Sequence, residues 1–210
     1  MSDYEEDALA TEQLIQWPRA LTHFDFGHYY YNPFYMDLPM LAAWLHPHRE
    51  TLRSLNIGYL SREGVGLLFN ASAFPKLETL TLSRWQIEHR KRRGLPELTY
   101  APDSADYLLA PNLHTFTLDF SVYDQHSEDF TDFTDPEENW LRSLARDAVG
   151  RNAKLRTIKI DFAPNHYLAH GVPAGGYPWE RMDRLRDEFR PHGLVVEYNQ
   201  PPLTKEEWLR

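Results

Sequence analysis

Five segments of the chain repeat one pattern, a leucine followed three and five positions later by two more large apolar side chains. They run from Leu21 to Phe26, Leu52 to Ile57, Leu77 to Leu82, Leu113 to Leu118 and Leu155 to Ile160, each reading LxxLxL with Phe or Ile as an occasional substitute. Apolar and polar residues alternate over the second half of the pattern. A strand with one buried face requires this, because successive side chains leave a strand on opposite sides. One such unit cannot bury its apolar face alone, so the units must stack side by side. The first leucines, at positions 21, 52, 77, 113 and 155, lie 31, 25, 36 and 42 residues apart. Repeats of this kind ordinarily run about 20–29 residues, so the array is expected to be irregular, with long connections. A weaker alternation at Leu194, Val196 and Tyr198 predicts a sixth, closing strand.

The connections carry helix signals. Asp135 reads as a cap, Pro136 as the first helical position, and Glu137 and Glu138 complement the positive end of the helix. Trp140, Leu141, Leu144, Ala148 and Val149 then fall on one face, and Gly150 reads as the stop. A second amphipathic run follows Pro178, with Met182, Leu185 and Phe189 at helical spacing and Pro191, His192 and Gly193 behind it. Shorter helices are predicted from Asp37 to Leu45, Ser61 to Phe69 and Asp103 to Leu109. The expected fold class is therefore α/β: an irregular leucine-rich-repeat-like solenoid with a parallel strand ladder on one face and helices and loops on the other. Residues 1–13 are acidic and read as a flexible N-terminus, leaving 14–210 as a single domain.

Composition narrows the function classes. The absence of cysteine removes disulfides, thiolate metal sites and cysteine nucleophiles, and fits a reducing compartment. With no secretory signal and no apolar run near the roughly 20 residues of a membrane span, the expected location is cytoplasmic or nuclear. The sequon Asn70-Ala71-Ser72 is then idle. A formal charge of −9 repels a phosphate backbone, so nucleic acid is not an expected partner. The basic run His89-Arg90-Lys91-Arg92-Arg93, followed by Gly94 and Pro96, reads as a solvated loop. No phosphate-binding, dinucleotide-binding or serine-hydrolase signature is present, and no cofactor is expected.

The residues between the inward positions of the strands form rows when the repeats are aligned. Two after the first leucine come His23, Ser54, Thr79, Thr115 and Thr157; four after come Asp25, Asn56, Thr81, Thr117 and Lys159; six after come Gly27, Gly58, Ser83, Asp119 and Asp161. The rows make a small, hydrogen-bonding surface suited to an unknown protein partner. The residues expected to bind it are Thr79, Thr81, Thr115, Thr117, Asp119, Thr157, Lys159 and Asp161. Asp119 beside Asp161 brings charge into an otherwise neutral face and would attract a basic segment. The aromatic string from His28 to Tyr35, with Trp44, is expected to shield the open end of the array. His166 and His170 have the one-turn spacing of a zinc motif but lack its Glu and lie between Pro164 and Gly171, and His46 with His48 is weaker still, so no metal is expected. A catalytic alternative is a hydrolase using Ser121, Asp124 and His126, which carry the right chemistry within six positions of one strand end. The leading expectation is a monomeric, non-enzymatic interaction domain.

The text between the repeats resembles the repeat portion of the F-box and leucine-rich-repeat-like proteins abundant in filamentous fungi. Phe74-Pro75-Lys76-Leu77-Glu78-Thr79-Leu80 and Leu109-Ala110-Pro111-Asn112-Leu113 carry the likeness, with Trp17 to Leu21, Leu52 to Leu60 and Asp119 to His126. The likeness spans most of residues 14–210. In that family an amino-terminal helical F-box docks the adaptor of a cullin ubiquitin ligase, while the repeats hold the substrate. Three packed helices of about 11 residues each do not fit before Leu21. The resemblance therefore implies the substrate-holding half of such a receptor, with the F-box itself absent.

Overall fold

The computed structural model describes residues 8–26, 36–58, 60, 67–87, 98–121, 132–164 and 176–209. Six strands, β1 (His23–Phe26), β2 (Ser54–Ile57), β3 (Thr79–Ser83), β4 (Thr115–Asp119), β5 (Thr157–Asp161) and β6 (Val195–Tyr198), form one sheet in the order of the sequence. Every neighbouring pair is parallel. The sheet is open, with β1 and β6 as its edges.

Each of β1 to β5 begins two residues after the first leucine of its repeat, β6 begins one after Leu194, and the register aligns equivalent positions. Phe24, Leu55, Leu80, Phe116, Ile158 and Val196 form one continuous row, and Phe26, Ile57, Leu82, Leu118, Ile160 and Tyr198 form the next. All of these except Tyr198 are buried, and they share a single hydrophobic cluster with the apolar faces of the helices. A one-residue slip in any strand would turn this set to solvent, so burial fixes the register. The weaker alternation near the C-terminus is a full member of the array: β6 pairs with β5, Val195 level with Thr157.

Among the described residues the α-helices are α1 (Ala8–Gln16), α2 (Leu38–Leu45), α3 (Ser104–Leu108), α4 (Asp135–Gly150), α5 (Pro178–Phe189) and α6 (Lys205–Trp208). None is long and apolar enough to cross a membrane. Because α1 begins at Ala8 and buries Thr11 and Ile15, helical structure starts well before residue 14, where the flexible acidic segment was expected to end. Asp37 caps α2 by accepting from the Met40 N–H at 2.9 Å.

At α4 the cap is Thr134 in place of Asp135. Glu137 reaches back to accept from the Thr134 N–H at 2.9 Å and from its hydroxyl at 2.6 Å, a capping box that the spacing Thr134-x-x-Glu137 encodes. At the other end α4 stops at Gly150 as expected, and Asn152 two residues on takes the left-handed conformation at φ +49°. Ala145 is buried where Val149 was expected and Val149 is exposed, because the apolar stripe follows the 3.6-residue period. The α5 helix begins at Pro178 as expected and ends at Phe189, and a 3-10 turn at Arg190–His192 leads from it into Gly193 at φ +74°. The helix expected from Ser61 to Phe69 fails over its described part: residues 67–70 are irregular and lead into a 3-10 turn at Ala71–Ala73.

Candidate partner-binding face

The outward rows follow directly from the register. His23, Ser54, Thr79, Thr115, Thr157 and Val195 stand side by side, as do Asp25, Asn56, Thr81, Thr117, Lys159 and Glu197. Thr79, Thr81, Thr115, Thr117 and Thr157 are half-buried, while Lys159 and Asp161 are exposed. Cross-strand bonds knit the first rows: the Thr79 hydroxyl donates to Ser54 Oγ at 2.8 Å, and Asn56 Nδ2 donates to Asp25 Oδ2 at 3.1 Å. The third row departs from expectation at Ser83. That side chain is buried, its Oγ accepting from the Trp85 N–H at 3.2 Å as the chain enters a 3-10 turn at Arg84–Ile87. Gly58 is buried as well, and its carbonyl accepts from Gln86 Nε2 at 2.9 Å. Among its described residues the third row is therefore open only at Asp119 and Asp161.

There Asp119 and Asp161 are register partners. Burial pushes the Asp119 carboxyl above its ordinary value, a bond from Ser121 pulls it partly back, and the negative charges of Asp161 and Asp25 add to the rise. Asp119 Oδ1 accepts from the Ser121 N–H at 2.8 Å, and Asp161 Oδ1 accepts from Asn199 Nδ2 at 2.8 Å. Among the described residues neither carboxylate is matched by a cation. Lys159 instead faces Glu197 of β6 at 3.4 Å. Thr117, Lys159, Asp161, Glu197 and Asn199 line an open depression of about 260 Å³ across β4 to β6.

Of the hydrolase trio, Ser121 is half-buried and tied through its backbone to Asp119, while Asp124 and His126 lie outside the described residues. The aromatic string 28–35, the basic run 89–93 and the His166 and His170 pair also lie outside them. Trp44 is buried in α2. The other histidine pair has a structural role. The buried His48 accepts from the Leu21 N–H through Nδ1 at 3.3 Å, which leaves Nε2 to donate to the Ile15 carbonyl at 2.8 Å, and His46 bonds Arg49.

On the helical side, charges are paired. Arg84 donates through Nε (2.9 Å) and one terminal nitrogen (2.7 Å) to Glu137 Oε1, with both side chains buried. Arg84 stands seven residues after its repeat's first leucine, the position that Phe120 and Phe162 hold in the next two repeats. That offset was the one sequence signal for this pair. Next along α4, buried Glu138 accepts from Arg142 at 2.5 Å, Arg184 at 2.6 Å and Arg181 at 3.1 Å. Arg142 and Arg146 also clamp Glu188, each at 2.8 Å. Burial alone would raise Glu137 and Glu138, but Arg84 with Thr134 and the three arginines respectively hold them below the ordinary carboxylate value.

No protein family, curated protein or solved structure matches the chain.

Proposed function

We propose that the chain is a leucine-rich-repeat-like solenoid that works as a non-enzymatic interaction domain, holding a protein partner on the outward face of its parallel sheet. The observation that carries this reading is the register: equivalent positions of successive repeats stand in unbroken rows, and the side chains in those rows are small, polar and at least partly open. Thr79, Thr81, Thr115, Thr117 and Thr157 supply hydroxyls on a rigid ladder, while Asp119, Asp161 and Lys159 set its charge. A broad shallow face suits an extended surface better than a small substrate, which needs enclosure and convergent polar groups. Asp119 and Asp161 favour a basic stretch of the partner by charge complementarity. The resemblance to fungal F-box-like repeats agrees with this role and adds the finer proposal that the partner is a ubiquitin-ligase substrate.

The test uses the full chain with a photo-cross-linking residue at Thr117, followed by affinity measurement on the captured protein. We expect Asp119→Lys with Asp161→Lys to weaken binding by about tenfold or more and Val149→Glu, on the helical side, to leave it unchanged. The opposite pattern would overturn the reading. Recovery of a cullin adaptor with the partner would support the ligase proposal.

A further inference from the structure

A different surface lies at the C-terminal edge of the sheet. In a parallel pair every second residue of a strand bonds its neighbour, and the bond from the Val195 N–H to the Arg156 carbonyl at 2.8 Å fixes which residues those are. Val195 and Glu197 turn their amides toward β5. The N–H and C=O groups of Val196 and Tyr198 therefore point away from it, and among the described residues no strand pairs beyond β6. A cavity of about 470 Å³ lies against this edge, bounded by β6, by Trp179, Asp183 and Arg186 of α5, and by Pro201.

The walls of this groove are held in place. The Tyr198 hydroxyl is bonded to both Asp183 and Arg186, and those two pair with each other at 2.7 Å. Trp179 Nε1 donates to the Asn199 carbonyl at 2.8 Å, and Trp208 packs edge-on against Trp179 at 5.4 Å. Side chains of α5 thus form a held wall of the groove beside the last strand. An added strand would rest on it without first ordering the site.

We propose that the β6 edge accepts an extended, cationic segment of a partner protein by strand addition. Main-chain bonds to Val196 and Tyr198 give the hold, and side chains on alternate positions give the choice. The added residue level with Glu197 continues the Lys159–Glu197 row and is a lysine or arginine. Its two neighbours face the groove beside Trp179 and Pro201 and are aliphatic. The local field agrees: apart from burial, the charges of Asp183, Glu180 and Glu206 raise Tyr177 at the rim of the groove. A second copy of this chain is disfavoured as occupant, since each copy carries −9. The inference does not rest on the outward face holding a partner, although Glu197 belongs to both surfaces.

The probe is a blocked pentapeptide, Val-Lys-Val-Lys-Val, titrated into the full chain while backbone amide shifts and hydrogen exchange are followed by NMR. We expect shifts and slowed exchange at Val196 and Tyr198. Affinity should fall about tenfold or more when Glu197 is changed to Lys, and be lost when the peptide amides facing β6 are N-methylated. Glu197→Lys alters an exposed edge residue, and an unchanged spectrum elsewhere establishes its fold. Asp119→Lys alone, two strands away from the edge, should leave peptide binding intact, which separates this site from the sheet face. Absence of binding, indifference to N-methylation, perturbation centred on Thr117, or a dimer in sedimentation would each overturn the proposal.

Discussion

The two sides of the sheet both carry charge, but they dispose of it in opposite ways. On the helical side each buried carboxylate meets guanidinium: Glu137 is closed by Arg84, and Glu138 by Arg142, Arg181 and Arg184. On the outward face Asp119 and Asp161 lie in adjacent strands and are held by neutral donors, Ser121 and Asn199. Charge on the first side is compensated within the fold and serves to lock α4 against the sheet and α5. On the second side Lys159 pairs with Glu197, but Asp119 and Asp161 meet no cation among the described residues. The comparison is testable, because compensated charges resist removal while uncompensated ones are a burden to the isolated chain.

The largest effect is expected at Arg84. Replacing it with Met leaves Glu137 buried without its cation, a change that costs about 3–5 kcal/mol. Arg84→Met with Glu137→Met should recover most of that loss, because two apolar side chains suit a row already held by Phe120 and Phe162, less the capping box that Glu137 makes with Thr134. Urea unfolding of the two variants decides the matter. If the single change costs under about 1 kcal/mol, the pair is effectively solvated and the contrast between the two sides weakens.

The next effect is at Glu138 and appears as a dependence on pH. Carboxylates held below their ordinary value contribute stability that is present above the unfolded value, about 4.5 here, and lost as pH falls through the folded value. Glu138→Gln should cost about 1–3 kcal/mol near neutral pH and make the acid limb of the stability curve shallower. Thermal unfolding followed across the acid range measures both. An acid limb unchanged by the substitution would mean that the arginine cluster does not hold the carboxylate.

What the sequence made legible follows the same division. The ladder was readable to the residue, because period-two alternation at a constant offset from the first leucine dictates register once the strands stack. Rows drawn from the text alone coincide with the paired residues from His23 to Lys159. The helical side was readable in outline only. Arg84 and Glu137 are 53 residues apart and meet through a turn that periodicity does not describe. The Glu138 cluster draws on two helices whose mutual packing no local pattern fixes. Ser83 was placed outward by alternation, but the 3-10 turn beginning at the next residue takes its hydroxyl for a backbone N–H and covers it. The groove at β6 escaped the sequence because it belongs to an edge, and an edge is a property of strand order.

Asp119 is where the outward face should show the opposite sign. Its carboxyl is raised in the folded chain, chiefly by burial. The folded state therefore binds that proton more tightly than the unfolded one, and the associated stability is present below the unfolded value, about 3.8, and lost as pH rises through the folded value. Asp119→Asn keeps an acceptor for the Ser121 N–H and removes the charge. It should stabilise the isolated chain near neutral pH, by under about 1 kcal/mol, with the gain vanishing in acid. A loss of stability at neutral pH would place Asp119 among the compensated charges.

The smallest effect on folding is expected from the threonines, and its smallness is informative. Thr81 and Thr117 are half-buried register partners with β-branched side chains suited to a strand. Changing both to Ala removes hydroxyls but no inward packing, so stability should move by only about 0.5 kcal/mol per site. If the face holds a partner through those hydroxyls, binding should suffer well beyond that, since each hydrogen bond lost at a desolvated contact leaves a group on the partner unsatisfied at about 1–3 kcal/mol. Calorimetry on the partner captured at Thr117, set against unfolding of the same double variant, compares the two losses directly. Equal small losses would mean that the threonines are there for the strand alone, and would move the recognition role to Asp119, Asp161 and Lys159.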